Sequence, residues 1–242
     1  MKVLIFQHVA CEHPGELRAL LAEDGAECCT VELDLNERIP DLQPFDALWV
    51  MGGPMDVWDV DKYPWLEAEK RAIRTWVCDL QRPFLGVCLG HQLLADALGG
   101  RCEPQSRPEI GIFDIELTAA GRADALLARM PARQKVLQWH SVAVVEPPDG
   151  AIILARSNLC ENQAMRVGRC AWSIQYHVEA EADTVANWGA IAEYRRALER
   201  EAGKDALTLL NTATQQALPD MRENARLLYR NFRAEVAKVT AG

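Results

Sequence analysis

The sequence predicts an α/β fold in which an open, mainly parallel sheet carries helices on both faces and is followed by a helical C-terminal extension. Two observations carry this prediction. Short apolar runs alternate with amphipathic helical segments in the N-terminal half of the chain. From Glu181 to the end, almost every segment has helical periodicity instead.

The N-terminal half supplies the alternation of strands and helices. Its strand-like runs are Lys2–Phe6, Cys28–Leu33, Ala47–Met51 and Phe84–Val87. Its helical segments are Pro14–Asp24, Pro64–Leu80 and Leu89–Leu98. Proline suits the first turn of a helix, and the segment from Pro64 has an apolar stripe with charges opposite. Such alternation implies βαβ units, whose strands run parallel.

The second half changes character. Five strand-like runs separated by short turns are expected to extend the sheet and to add an antiparallel portion: Ile110–Leu117, Lys135–Trp139, Ala151–Ala155, Gln163–Val167 and Ala171–Tyr176. Three helical segments follow, 182–201, 205–218 and a last one opening at Pro219. We therefore expect a core of residues 1–182 and a helical extension of residues 183–242 packed on it.

Bulk composition restricts the class of partner and the compartment. The formal net charge of −9 disfavours nucleic acid and anionic membranes, because both select basic patches. The N-terminus lacks a signal-peptide pattern, and no segment approaches the roughly 18–20 apolar residues of a membrane span. None of the eight cysteines forms a C-x-x-C pair, which leaves no zinc pattern. We expect reduced, mostly buried thiols in a cytoplasmic protein.

The stretch PFLGVCLGHQLLADALGG places Cys88 at the tip of a sharp turn between a strand and a helix. Gly86 and Gly90 flank it at two residues on either side, which is the pattern of a nucleophile elbow. The turn strains its central residue and requires neighbours without bulk. A cysteine there projects at the carboxyl end of the sheet, and the helix N-terminus favours thiolate over thiol.

A cysteine nucleophile needs a base, and the base needs an orienting acceptor. His177 ends the apolar run AWSIQYH, and Glu179 lies two residues later, on the same side of an extended segment. His8 and His13 follow the first strand and are expected to be surface or capping groups. His91, in the elbow helix, is expected to be structural support.

Tetrahedral chemistry also needs donors for an oxyanion. The backbone N–H of Leu89, directly after Cys88, is the usual first donor of an elbow. MGGPM offers the second, because Gly52 and Gly53 allow close backbone approach and Pro54 stiffens the loop. A phosphate-binding loop is the competing interpretation, but neither G-x-G-x-x-G nor G-K-[ST] is present.

In this order, MGGPM, PFLGVCLGHQLLADALGG and QYHVE resemble the class I (triad) glutamine amidotransferases. The resemblance covers roughly residues 1–182 and implies their flavodoxin-like α/β domain. The segments EHPG, GGPMDVWD, YPWLEAEK, EIG, LQWHS and NQAMRVG look closer to stand-alone members of the family. Those members have no synthase domain, and some hydrolyse γ-glutamyl bonds in peptides.

The resemblance implies a role for each matching residue. Cys88 would be the nucleophile, His177 the base and Glu179 its orienting carboxylate. Gly53 and Leu89 match the oxyanion donors. The positions that match substrate contacts are Gln92, Ser141, Val142, Glu109, Gly52 and His140. No metal and no organic cofactor is implied.

Several functions stay open at this point. The chain would hydrolyse glutamine and release ammonia, with a separate synthase or ligase as acceptor, or it would cleave γ-glutamyl peptides. Other Cys-His hydrolases and deglycase-like proteins use a similar elbow, and a non-catalytic glutamine-binding protein is a further alternative. Val178 departs from the proline that many family members carry between the histidine and the glutamate.

Overall fold

The computed structural model describes residues 1–241, and the strands in that part of the chain form one nine-stranded sheet. The strands are β1 (Lys2–Gln7), β2 (Glu27–Glu32), β3 (Ala47–Val50), β4 (Phe84–Val87), β5 (Arg101–Leu117), β6 (Arg133–Glu146), β7 (Ile152–Arg156), β8 (Ala164–Val167) and β9 (Ala171–Ile174). Their order across the sheet is β2-β1-β3-β4-β9-β8-β7-β5-β6.

The helices lie between the parallel strands and after the sheet. They are α1 (Glu16–Glu23), α2 (Trp65–Arg74), α3 (Leu89–Ala97), α4 (Ala119–Ala123), α5 (Thr184–Trp188), α6 (Ala192–Ala202) and α7 (Ala206–Thr240). A π-helical turn, Thr75–Leu80, extends α2. None of the described helices combines the length and apolar character that a membrane crossing requires.

The sheet consists of two joined parts. β2, β1, β3, β4 and β9 pair in parallel, whereas β9, β8, β7, β5 and β6 pair antiparallel. The α/β prediction is confirmed, and the antiparallel portion is as extensive as the parallel one. It is larger than expected because β5 begins at Arg101. Pro104 and Pro108 hide this start in the sequence, and the β5–β6 register is irregular between Pro104 and Glu109.

The parallel register brings four strand ends to one edge of the sheet. Phe6 pairs with Val50, and Val87 pairs with Ile174. The carboxyl ends of β1, β3, β4 and β9 therefore lie side by side. Open α/β sheets bind ligands at this edge.

Two apolar layers cover the sheet. α2 and α3 pack on one face, and α1 and α7 pack on the other. Phe232 of α7 contacts Trp49 and Trp172 edge to face, with ring centroids 5.8 and 6.2 Å apart. The C-terminal helix therefore completes the core, and the division at residue 182 stays a prediction.

The last helix runs without a break through Pro219, where the sequence pattern suggests the start of a new segment. Proline removes the N–H that would bond the carbonyl of Gln215. Leu218 and Met221 on either side are buried, and this packing offsets the lost hydrogen bond.

The prediction of mostly buried thiols was wrong for several cysteines. Cys28, Cys29 and Cys78 are exposed, and Cys11 is half-buried; the buried thiols are Cys88, Cys102, Cys160 and Cys170. Cys28 and Cys29 lie on β2, the edge strand of the parallel part. A strand pattern does not show which strand lies at an edge.

Candidate active site

The elbow adopts the strained conformation that its glycines suggested. Cys88 has φ +53° and ψ −104°, a conformation that few residues other than glycine adopt. A Cβ on Gly90 would lie 2.1 Å from the carbonyl oxygen of Val50, and one on Gly86 would lie 2.5 Å from that of Gly90. The N–H of Gly90 donates to the carbonyl of Met51 at 3.1 Å. The turn thus fixes Cys88 at the carboxyl edge of the sheet.

His177 lies beyond the end of β9, next to β4, and is held by Glu179. Its Nδ1 is 2.7 Å from Oε1 of Glu179, and its backbone N–H donates to the carbonyl of Leu137 at 2.9 Å. Burial alone would lower the pKa of His177. The carboxylate of Glu179 and the thiolate of Cys88 outweigh burial, and the pKa is raised well above 6.5. The geometry favours an imidazolium with Nε2 toward Cys88.

Gln175 is a site residue that the sequence reasoning missed. Its Nε2 is 3.7 Å from the Cys88 sulfur, and its Oε1 accepts from Nε2 of Gln92 at 3.1 Å. Gln92 also donates to the carbonyl of Val142 at 3.1 Å. Gln175 alternates with His177 and Glu179, so the period of two that linked those residues could have found it.

The glycine loop after β3 packs against the elbow. A Cβ on Gly53 would lie 3.0 Å from Cδ2 of Leu89 and 2.9 Å from Cβ of His8, and one on Gly52 would lie 2.4 Å from Oε2 of Glu12. Leu89 is the first residue of α3, so its N–H has no acceptor within the helix. The two backbone donors suggested by the sequence are therefore neighbours.

A cleft runs over Cys88 between the glycine loop, the elbow, β6 and α6. It encloses about 690 Å³ and opens to solvent, which suits a small-molecule ligand. Its lining residues are Gly53, Pro54, Met55, Asp56, Cys88, Leu89, Gln92, Ile110, Trp139, His140, Ser141, Val142, Glu193, Tyr194, Ala197 and Arg200.

Comparison with known families identifies the group to which this cleft belongs. The family model for class I glutamine amidotransferases matches residues 16–186. The chain belongs to this family. The match includes Cys88, His177 and Glu179, and it confirms the resemblance that the three sequence motifs suggested.

Individual relatives of this amidotransferase cover most of its length. It is 32% identical over 208 residues to the putative glutamine amidotransferase-like protein YfeJ of Salmonella typhimurium, covering 84% of this chain and 85% of the relative. It is 30% identical over 171 residues to a glutamine-hydrolyzing subunit of the GMP synthase of Sulfolobus acidocaldarius, covering 68% of this chain and 85% of the relative.

A solved structure matches almost the whole amidotransferase chain. It is a glutamine amidotransferase from Thermotoga maritima, with a TM-score of 0.85 and 26% identity, and the match covers 98% of each chain. The likeness extends through the C-terminal helices and confirms the flavodoxin-like fold.

Four of the suggested substrate contacts of this amidotransferase line the cleft: Gln92, His140, Ser141 and Val142. Gly52 lies behind the lining, with its carbonyl oxygen turned to His8.

Glu109 requires a correction, because it is fully buried outside the lining of the cleft. It accepts hydrogen bonds from Ser157 Oγ at 2.6 Å and Gln163 Nε2 at 2.8 Å. Its Oε2 lies 3.3 Å from Nε2 of His140, so Glu109 supports that ring from behind.

The remaining histidines of the amidotransferase divide into three cases. His8 is completely buried, so the expectation of a surface or capping group was wrong. His13 caps a turn as expected, because its Nδ1 accepts from the N–H of Gly15 at 3.1 Å. His91 is buried 2.8 Å from Ser173 Oγ; burial first, and then His140, lowers its pKa to about 3. A neutral, buried His91 fits the expected supporting role.

Glu12 adds a second buried carboxylate beside His177 in this amidotransferase. Glu12, His177 and Glu179 each place one potential ligand atom within 4.8 Å of the others. Their atoms are already engaged in hydrogen bonds, since Tyr194 donates to Oε1 of Glu12 at 2.5 Å and His177 bonds Glu179. This pattern fits acid–base chemistry better than a metal site. Sequence separation hid the pair, because Tyr194 lies in α6, 182 residues from Glu12.

Proposed function

We propose that this amidotransferase hydrolyses the γ-amide of glutamine through a γ-glutamyl thioester on Cys88. In this proposal His177 is the general acid and base, and Glu179 orients it. One observation supports the proposal most strongly: strained Cys88 and the hydrogen-bonded His177–Glu179 pair follow two adjacent parallel strands and meet at one cleft. The Sulfolobus relative carries the name of a glutamine-hydrolyzing enzyme, which agrees with this reaction.

The proposed reaction has two halves. The Cys88 thiolate attacks the γ-carbonyl carbon, a C–S bond forms, and the N–H groups of Gly53 and Leu89 stabilise the negative oxygen. The C–N bond then breaks, and His177 gives a proton to the leaving nitrogen. His177 next removes a proton from water, which attacks the thioester, so that the C–S bond breaks and glutamate leaves.

The amino-acid end of the substrate is proposed to lie against β6 and the elbow helix. Gln92, Ser141, Val142 and His140 line this part of the cleft. Gln92 and Val142 are already joined by a hydrogen bond, which gives the contact surface a fixed geometry. Glu109 acts in this proposal through His140 rather than on the substrate.

A second candidate, a γ-glutamyl peptidase, is favoured by the lining from α6. Ammonia needs no binding surface, whereas α6 adds the charged side chains of Glu193 and Arg200 to the cleft. A charged leaving group such as an amino acid would find partners there. If ammonia is the product instead, its acceptor would be a synthase or ligase on another chain.

A substrate panel tests the proposal and separates the two candidates. Purified protein is supplied with glutamine and with γ-glutamyl dipeptides, and glutamate, ammonia and free amino acid are measured. We expect glutamate release from at least one compound. Acid-quenched protein is expected to carry the mass of one γ-glutamyl group on the peptide that contains Cys88. Glutamine binding without glutamate release would favour the binding-protein alternative instead.

Glu12→Gln is expected to move the alkaline limb of the kcat/KM profile to lower pH by about one unit. The raised pKa of His177 keeps its proton available through neutral pH, and activity falls as pH rises through that pKa. Removing the Glu12 charge stabilises the imidazolium less, so that its proton is lost at lower pH. Glu116→Gln, an exposed carboxylate on β5, is the control. Superimposable profiles for wild type and Glu12→Gln would contradict the expectation.

A further inference from the structure

A fully buried ion pair lies beneath the glycine loop, outside the lining of the cleft. His8 follows β1 and Glu69 belongs to α2, and neither side chain is exposed. Nε2 of His8 is 2.9 Å from Oε1 of Glu69, and Nδ1 is 2.8 Å from the carbonyl oxygen of Gly52. Trp65, one turn before Glu69 on α2, stacks on the imidazole with ring centroids 5.5 Å apart.

The partner of Nδ1 fixes the position of one proton on His8. A carbonyl oxygen only accepts hydrogen bonds, so Nδ1 must carry the proton and donate to Gly52. Burial lowers the pKa of His8, but the charge of Glu69 outweighs it, and the net pKa is raised. An imidazolium with both nitrogens donating fits the two contacts.

This hydrogen bond sets the direction of the next backbone donor. The carbonyl of Gly52 and the N–H of Gly53 belong to one peptide unit, and the described chain contains no cis peptide bond. In a planar trans peptide these two groups point in opposite directions. With the carbonyl turned to His8, the N–H of Gly53 faces away from His8, on the side of Cys88 and Leu89 in the cleft.

A peptide between two glycines needs such an anchor. Glycine occupies many backbone conformations at little steric cost, so the Gly52–Gly53 unit is free to rotate when nothing holds it. Rotation would turn a carbonyl oxygen toward the developing oxyanion, where it would repel the negative charge. An oxyanion donor is effective only when it is held in position before the reaction.

The pair is also an expensive way to fill space. Within residues 1–241, Oε2 of Glu69 has no hydrogen-bond partner. A buried ion pair with an unsatisfied oxygen is commonly no more stable than apolar residues of similar volume. Packing alone therefore does not explain why a histidine and a glutamate occupy these positions.

We propose that His8 and Glu69 are positioning residues that hold the Gly52–Gly53 peptide with the N–H of Gly53 directed at the oxyanion. Glu69 fixes the imidazole, and the imidazole fixes the peptide. The inference rests on the proposed function, because the oxyanion forms only in attack by Cys88.

Two double variants on one background test this role. Glu69→Leu removes the carboxylate that would otherwise be left unpaired. Adding His8→Phe keeps a ring against Trp65 but provides no donor. Adding His8→Asn loses the ring but retains an amide N–H near the position of Nδ1. A purely structural role predicts that the Phe variant is the more active of the two, and our proposal predicts the reverse.

We expect kcat of the Phe double variant to lie about 10- to 100-fold below that of Glu69→Leu with little change in KM, since losing one oxyanion donor costs about 10²- to 10³-fold. The Asn double variant is expected to recover most of the loss. Affinity for a γ-aldehyde substrate analogue, which forms a thiohemiacetal on Cys88, should fall in parallel with kcat. Alkylation of Cys88 by iodoacetamide builds no oxyanion and should be equal in all variants.

Equal kcat and equal aldehyde affinity in the two double variants would overturn the proposal. Greater activity of the Phe variant would overturn it as well, in favour of a packing role. These outcomes require an active wild type and leave the proposed function intact. A wild type that releases glutamate from no γ-glutamyl compound contradicts the proposed function itself, and the present inference falls with it.

Discussion

Cys88→Ser is expected to lower kcat/KM for the best γ-glutamyl substrate by about 10⁴-fold or more, because removal of an elbow-type nucleophile eliminates covalent catalysis. Serine fits the strained turn, so the fold should survive. Its hydroxyl is far less acidic than a thiol, and the ion pair with His177 does not form in the resting enzyme. The raised pKa of His177, which depends partly on the Cys88 thiolate, should fall in the variant.

Cys170→Ser is a matched control for Cys88→Ser. Cys170 is also buried, but it lies at the opposite end of β9, where its sulfur is 3.3 Å from the carbonyl oxygen of Gln81. Glutamate release and the melting temperature are measured for both variants. If Cys88→Ser keeps the activity of Cys170→Ser, then Cys88 is not the nucleophile and the thioester mechanism is wrong.

The features that the sequence predicted are local ones. The elbow combines a strand, two glycines and a helix within a few residues, and His177 and Glu179 lie two positions apart on one side of an extended segment. Periodicity and turn chemistry describe such features without knowledge of the rest of the chain. The parallel sheet then brings both groups to one edge, because consecutive βαβ units place all their carboxyl ends there.

The features that the sequence missed depend on distant contacts. His8 meets Glu69 at a separation of 61 residues, and Tyr194 meets Glu12 at 182. A single sequence shows that each residue is polar and near a strand or on a helix, but not which group it faces. The interpretation of His8 as a surface group failed for this reason. Its burial follows from the packing of α2 over the end of β1, which no local pattern contains.

Position within the sheet was equally hidden. A run such as ECCTVE predicts a strand whether it lies at an edge or in the centre, yet its two cysteines are exposed because β2 is an edge. The length of β5 was missed because prolines at its start do not fit a central strand. The structure accommodates them where the β5–β6 register is irregular.

Gly90→Ala is expected to destabilise the protein by about 3 kcal/mol, at the upper end of the usual cost of overpacking. The added Cβ would lie 2.1 Å from the carbonyl oxygen of Val50, which belongs to the backbone of β3 and cannot rotate away. Relief requires α3 to move from the sheet, and the hydrogen bond from Gly90 to Met51 lengthens with it. Activity should fall as well, because Cys88 and Leu89 move with the helix.

Gly168→Ala separates this clash from ordinary backbone strain. Gly168 has φ +58° and open space around its Cβ position, so alanine there is expected to cost only about 1 kcal/mol. Urea denaturation and thermal melting compare the two variants, and about 3 kcal/mol corresponds to a melting temperature lower by roughly 6–12 °C for a chain of this size. Equal stability of Gly90→Ala and Gly168→Ala would mean that the elbow tolerates a side chain at position 90. The strained turn would then owe its shape to something other than the contact between α3 and β3.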